Sequence, residues 1–260
     1  MTSGKQSKAE RSERQAKIDA AAPKPSKAKP ILVALVVIAV IAGIGAAVFF
    51  GNRSTAPDQA ATGNANSYPK GATGPTGGIV VNADKVKAGA PTLDIYEDFQ
   101  CPACEQLEKA VGPTIKQMSE AGEVKVAYHI KNFLDANLGN DSSTRAGNAA
   151  ACAADVGAFQ AYHDQVYAHP PAKEGDGYTD AQLEQFATGA GISGANLVTW
   201  KKCVADKKYD SYIKGVDEAT AKAGVNSTPT LQVNGKTFDL SVQKVTSAQD
   251  FRTKVLAAGK

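Results

Sequence analysis

Apolar positions along the chain fall into three regimes. Ile31 to Phe50 is a continuous run of twenty residues without a charge. Short β-branched or alternating runs occupy 77–82, 91–96, 123–130 and 229–240, and an Ala-rich, helix-favouring stretch fills 137–222. Leu93 and Ile95 alternate within Pro91-Thr-Leu-Asp-Ile-Tyr96, which predicts a strand, and Glu123 to Ile130 alternates in the same way. Helix formers from Glu105 to Val111 lie between them. The unit reads strand–helix–strand, with parallel strands and a right-handed crossover. Further on, Asp141-Ser142-Ser143 is placed to cap a helix running to about Phe159. Thr179 opens another, and 194–222 holds two more helical stretches. Asn234-Gly235 between Pro229–Val233 and Lys236–Leu240 is the strongest two-residue hairpin signal, and Ser247 to Ala258 predicts a closing helix. An insertion as long as 137–222 is not a loop in a compact domain. The fold class is α/β, with a βαβ half and a ββα half flanking a helical subdomain.

The N-terminal third is organised differently. Residues 1–30 carry 8 Lys/Arg against 3 Asp/Glu with almost no large apolar side chains, so they are expected to be a disordered cytoplasmic tail. The run 31–50 matches the length that spans a hydrocarbon core of about 30 Å. It is longer than the apolar region of a cleaved signal peptide, the runner-up, and Val48 to Arg53 makes a poor cleavage site. Lys24, Lys27 and Lys29 precede it and only Arg53 closely follows, which orients the N-terminus to the cytoplasm. Gly51 to Gly78, rich in Gly, Ala, Asn, Thr and Pro, reads as a flexible linker. The folded domain is then 79–260. Beyond residue 30 the chain holds 21 basic against 23 acidic residues, a balance that suggests no nucleic-acid surface.

The candidate chemistry is Tyr96-Glu-Asp-Phe-Gln-Cys-Pro-Ala-Cys-Glu105. Cys101 falls where a strand ends and a helix begins, under the unpaired N–H groups and positive end of the helix dipole. Pro102 fits the first helical turn. A thiolate is stabilised there and its pKa falls below about 8.5. Cys104, one turn on, is in reach of a mixed disulfide formed at Cys101. Half of a zinc site and a structural disulfide are the rival readings. Cys152 and Cys203 stand singly, and His129, His163 and His169 show no ligand spacing, so neither a metal nor a cofactor is expected. By alternation Leu93, Ile95, Glu97 and Phe99 share a face, which makes Glu97 a candidate proton relay below Cys104. His163 and His169, in an aromatic-rich helix end, suit packing and surface roles, and Trp200 suits helix packing.

Cys101-Pro102-Ala103-Cys104 after a strand, Thr228-Pro229 before a hairpin, and helices inserted between the halves together resemble the thioredoxin fold. The run from Tyr96 to Pro102 is similar to the DsbA-like branch of extracytoplasmic thiol–disulfide oxidoreductases, over about 79–258. The resemblance is to its membrane-anchored members with an extra disulfide in the helical subdomain. It implies a thioredoxin fold with a helical-subdomain insertion, preceded by one N-terminal transmembrane helix. Cys101 would be the nucleophile and Cys104 the resolving thiol, with Pro229 a cis-proline facing them. Thr228, Pro102 and Ala103 would contact substrate, and Cys152 would pair with Cys203. Ala103 departs from the best-known oxidising member, which has a histidine there, so the resemblance implies a milder oxidase.

The function expected is donation of the Cys101–Cys104 disulfide to exported proteins by a single-pass protein whose catalytic domain is extracytoplasmic. The resemblance implies reoxidation by a quinone-linked membrane partner of the DsbB or vitamin-K-epoxide-reductase-like kind. The alternatives are a reductase or isomerase of the same fold, and a tethered binding or sensing module whose CxxC is only structural.

Overall fold

The computed structural model describes residues 67–260. The expected tail, the transmembrane run 31–50 and the linker as far as residue 66 lie outside the described residues. Among the described residues no helix is long and apolar enough to cross a membrane. Residues 67–78, expected to belong to the linker, are built onto the domain instead. Ala72 bridges Ile79, Thr73 N–H donates to the Gly78 carbonyl, and Lys70 N–H donates to Asp155.

Five strands form one sheet, β1 (Ile79–Val81), β2 (Thr92–Glu97), β3 (Lys125–Ile130), β4 (Thr230–Val233) and β5 (Lys236–Thr237), in the order β1-β3-β2-β4-β5. β2 and β3 are parallel, as a βαβ unit requires, and the other pairings are antiparallel. The crossover is α1 (Pro102–Glu120). The helix-forming run noted in the sequence stops at Val111, but α1 continues through Gly112-Pro113 for nine more residues. Val111, Ile115 and Met118 fall at helical spacing and are all buried, and this face holds the helix together where Pro113 forgoes an N–H. Asn234 and Gly235 both take positive φ, 50° and 76°, as the expected hairpin turn demands.

The insertion comprises α2 (Phe133–Leu138), α3 (Ser142–Asp155), α4 (Phe159–Ala168), α5 (Asp180–Gly189), α6 (Gly194–Ala205) and α7 (Asp210–Lys222), and α8 (Ala248–Ala258) closes the chain against α1. It begins a few residues before the expected 137. The helix expected from Asp141 to about Phe159 ends sooner, at Asp155. Gly157 at φ 77° leaves the helical region and α4 starts afresh at Phe159. Asp141 stands at the N-cap of α3 yet makes no side-chain cap bond. Asp135 of α2 does that work, accepting the N–H groups of Ser143 and Thr144 at 2.7 and 2.9 Å. Every residue of α3 is buried except Arg145 and Asp155, which explains its run of small side chains. Gly147 already lies where a Cβ would come within 3.1 Å of Ile213 on α7. At Thr179 the expected cap is complete, a capping box with Gln182.

Candidate active site

The chain leaves β2 at Glu97, makes a tight turn in which Cys101 N–H bonds the Asp98 carbonyl at 2.9 Å, and enters α1 with Cys101 as N-cap. Both cysteines are unbridged; Cys101 is 8% exposed and Cys104 fully buried. Pro102 and Ala103 are exposed beside them. The Thr228–Pro229 bond is cis, and Cys101 Sγ donates to the Thr228 carbonyl at 3.5 Å. Thr228 Oγ1 is buried without another partner. The nucleophile thus has the Thr228 carbonyl of the cis Thr228–Pro229 pair on one side and exposed Pro102 and Ala103 next to it in the chain.

The two thiols are held in opposite states. A hydrogen bond from the Cys104 thiol holds the Cys101 thiol down at about 6, despite burial, with help from Thr228 and the backbone N–H groups of Cys104 and Ala103. Burial drives the Cys104 thiol far above its ordinary range, and the charges of Glu97 and Cys101 add to this. Cys101 is therefore a thiolate at neutral pH, and Cys104 needs a proton acceptor before it can attack.

Glu97 is fully buried, on the face that strand alternation assigned it. Its Oε2 meets His163 Nε2 at 2.7 Å. That is the main correction to the sequence reading. His163 packs, as expected, against Tyr128, Phe99 and Tyr167, but it is fully buried rather than at the surface and is the partner of Glu97. Burial opposes its charge, but Glu97 and Asp164 push the imidazole up to about 10. His169 is exposed and stacks on Phe186, as a surface role implies. Phe159, His163 and Tyr167 recur every four residues, a buried helical face on which a histidine calls for a charged partner; that was the available signal.

Two more acids stand at the site. Asp98 is fully buried and accepts from the N–H groups of Gln100 and Leu134 and the hydroxyl of Ser143, tying the turn to α2 and α3. Burial pushes it up to about 7 against those bonds. Glu108, one turn beyond Cys104, brings a carboxyl oxygen within 4.8 Å of donor atoms of both Glu97 and His163. Burial and the charge of Glu97 raise it well above the carboxylate range. These three could offer donors to a metal, but ligands about 2.0 Å from one zinc ion sit farther apart than 2.7 Å. The Glu97–His163 contact is an ion pair instead.

Cys152 on α3 and Cys203 on α6 form a disulfide across 51 residues. Trp200 is buried in the same subdomain, its Nε1 donating to the Ala149 carbonyl at 2.9 Å.

Residues 87–250 match a protein-family model described as "Thioredoxin". Among solved structures, oxidised DsbA from Mycobacterium tuberculosis is 27% identical, with a TM-score of 0.57 over 70% of this chain and 92% of that one. The disulfide bond oxidoreductase DsbG from the same organism is 28% identical, with a TM-score of 0.58 over 71% and 88%. The thiol–disulfide oxidoreductase MdbA from Corynebacterium matruchotii is 27% identical, with a TM-score of 0.55 over 68% and 89%. A Na(+)/H(+) antiporter, NhaA 3 of Salinispora tropica, is 28% identical over 145 residues; these make up 56% of this chain, which covers only 20% of that relative's length. The family match runs through the redox turn, the helical insertion and the proline hairpin alike, and the chain belongs to the thioredoxin family, as a DsbA-like thiol–disulfide oxidoreductase.

Proposed function

We propose that this thiol–disulfide oxidoreductase is a membrane-tethered oxidase that donates the Cys101–Cys104 disulfide to exported proteins outside the cytoplasm. The observation that carries the reading is the contrast between a nucleophilic Cys101 at the helix N-terminus and a buried, protonated Cys104 behind it. The apolar run 31–50, with its lysines on the N-terminal side, supports the tether. The Cys152–Cys203 disulfide supports an oxidising compartment.

A substrate thiolate attacks Cys101 Sγ of the oxidised pair. The Sγ–Sγ bond breaks, Cys104 leaves as thiolate, and it takes up a proton from the buried Glu97–His163 pair. A second substrate thiolate then attacks the substrate sulfur of the mixed disulfide. Cys101 leaves as the thiolate that its surroundings favour, the substrate carries the new disulfide, and the enzyme has gained two electrons. The Thr228 backbone, beside Cys101, is placed to pair with an extended substrate segment. Reoxidation runs in reverse on the disulfide of a membrane partner, for which a quinone-linked DsbB- or vitamin-K-epoxide-reductase-like protein suits the tether.

Whatever stabilises the reduced form raises the reduction potential, by about 30 mV for each 1.4 kcal/mol. Equilibration with glutathione is expected to place the pair well above the roughly −270 mV of thioredoxin. A value near that figure would replace the oxidase with a reductase. A pair that mild reductant leaves closed to alkylation would mean a non-catalytic module.

A further inference from the structure

Cys104 must lose a proton each time the active-site disulfide closes and regain one each time it opens. A substrate bonded to Cys101 covers the face on which Pro102, Ala103 and Thr228 stand, and Cys104 itself has no exposure. Its proton needs another way out.

The packing offers one. Glu97, fully buried, lies near enough for its charge to act on Cys104, and it holds the imidazole of His163, also fully buried. Its two ring nitrogens look in different directions. Nε2 meets Glu97 Oε2 at 2.7 Å, whereas Nδ1 has no hydrogen-bond partner and faces Asp164 Oδ1 at 3.7 Å. Asp164 is 37% exposed, paired with Lys116, and lines a cleft of about 350 Å³ along the flank of α1, together with Glu108, Gly112 and Tyr167. Glu108 reaches into the same place because Gly112 leaves room; a Cβ there would lie 2.3 Å from its Oε2.

We propose that His163 carries the Cys104 proton between buried Glu97 and cleft-facing Asp164, making the flank of α1, not the substrate face, the proton exit of the enzyme. As Glu97 takes up the Cys104 proton on its unpartnered Oε1, the charged imidazole releases its Nδ1 proton toward Asp164, so one proton enters the buried pair as another leaves it, a two-ended exchange that an amide cannot make. The remaining 3.7 Å closes by rotation of the half-exposed Asp164 or through one water. The groups facing His163 are Glu97 from β2, Tyr128 from β3, Glu108 from α1, and Asp164 and Tyr167 on its own helix. Of these, Glu97 and Asp164 stand at the two nitrogens. His163 is a positioning residue: it touches neither sulfur. The inference rests on dithiol exchange at Cys101 and Cys104 but not on its direction, since either direction moves the same proton.

The test is stopped-flow reaction of the reduced full-length protein with excess 5,5′-dithiobis(2-nitrobenzoate). Attack by Cys101 releases the first thionitrobenzoate; attack by Cys104 on the mixed disulfide releases the second. In His163→Gln the first release is expected to keep its rate, while the second slows by about 100-fold at pH 7, the scale of a lost general base. The slowed phase is expected to accelerate with added imidazole, which wild type ignores. Asp164→Asn, at the half-exposed end, leaves the core intact and is expected to slow the second phase alone, to a smaller degree. A second release that is unchanged in both variants, or that slows in step with the first in both, overturns the proposal. Should His163→Gln fail to fold, Asp164→Asn decides by the same criterion. Wild type that releases no thionitrobenzoate at all would instead sink the exchange reading itself.

Discussion

The Sγ of Cys101 lies 3.5 Å from the carbonyl oxygen of Thr228, and the hydroxyl of the same threonine is buried without another partner. One residue therefore offers the nucleophile both an acceptor and a donor. The thiol donates to the carbonyl. The thiolate cannot, and the Thr228 hydroxyl then becomes the group that favours it. Loss of the Cys101 proton frees the carbonyl to accept from a substrate backbone at the moment the sulfur becomes reactive.

The thiolate is accordingly expected to titrate near pH 6, followed by its absorbance near 240 nm. Thr228→Val, which keeps the shape and removes the hydroxyl, should move that midpoint upward. The sign for stability follows from a folded pKa held below the unfolded 9.0. The contribution to the reduced protein is fully present above pH 9 and is lost as pH falls through about 6. Urea denaturation at pH 5 and pH 9 should show the reduced form gaining on the oxidised form between them. A gap that does not widen toward pH 9 rules this out.

Attack order follows from exposure and charge together. Cys104→Ser should accumulate mixed disulfides with thiol substrates on non-reducing gels, because Cys101 still attacks and nothing resolves the product. Cys101→Ser should accumulate none, since Cys104 is buried and protonated. Equal trapping by both variants contradicts the assigned roles.

How much of this site could be read from the sequence depends on distance along the chain. The strand, the redox turn and the helix start are contiguous, and helix propensity, alternation and Pro102 fixed them locally. The burial of Glu97 with Leu93 and Ile95 is legible in the same way, from alternation along one strand. The expected transmembrane run has a clear composition but falls outside the described residues. The partner of Glu97 was another matter: His163 is 66 residues away on an inserted helix, and no local rule says which strand end that helix covers. Asp98 shows the same limit. It points away from the Glu97 face and would be solvated in a bare sheet; α2 and α3 bury it. The break at Gly157 was missed because a lone glycine inside a helical pattern is as often tolerated as it is terminal.

The second disulfide is expected to be structural. Closing a loop of about fifty residues contributes around 4 kcal/mol in the chain-entropy model, and both sulfurs lie in α3 and α6, away from the redox turn. Cys152→Ala/Cys203→Ala should lose several kcal/mol in chemical denaturation while keeping both phases of the thiol reaction. Loss of either phase in a folded variant would give the bridge a role in exchange.

Asp98 is expected to make the oxidised protein, which has no Cys101 thiol to titrate, less stable as pH rises. Its carboxyl is pushed from 3.8 up to about 7 by burial, so the folded state holds its proton more tightly than the unfolded chain. The stability this brings is fully present below about pH 4 and is lost as pH rises through 7. The proton has a place to go, because the Ser143 hydroxyl can reverse and accept it. Asp98→Asn removes the titration but turns an amide N–H₂ or its oxygen toward groups that all donate: Leu134 N–H on one side, Gln100 N–H on the other. That mismatch costs about 1–3 kcal/mol. Asp98→Asn should therefore be clearly less stable than wild type in urea at pH 4.5, with the difference narrowing by pH 8 as the wild-type carboxyl ionises in its buried setting. A constant difference across that window would mean that Asp98 keeps its charge throughout, held by its three donors rather than neutralised by burial.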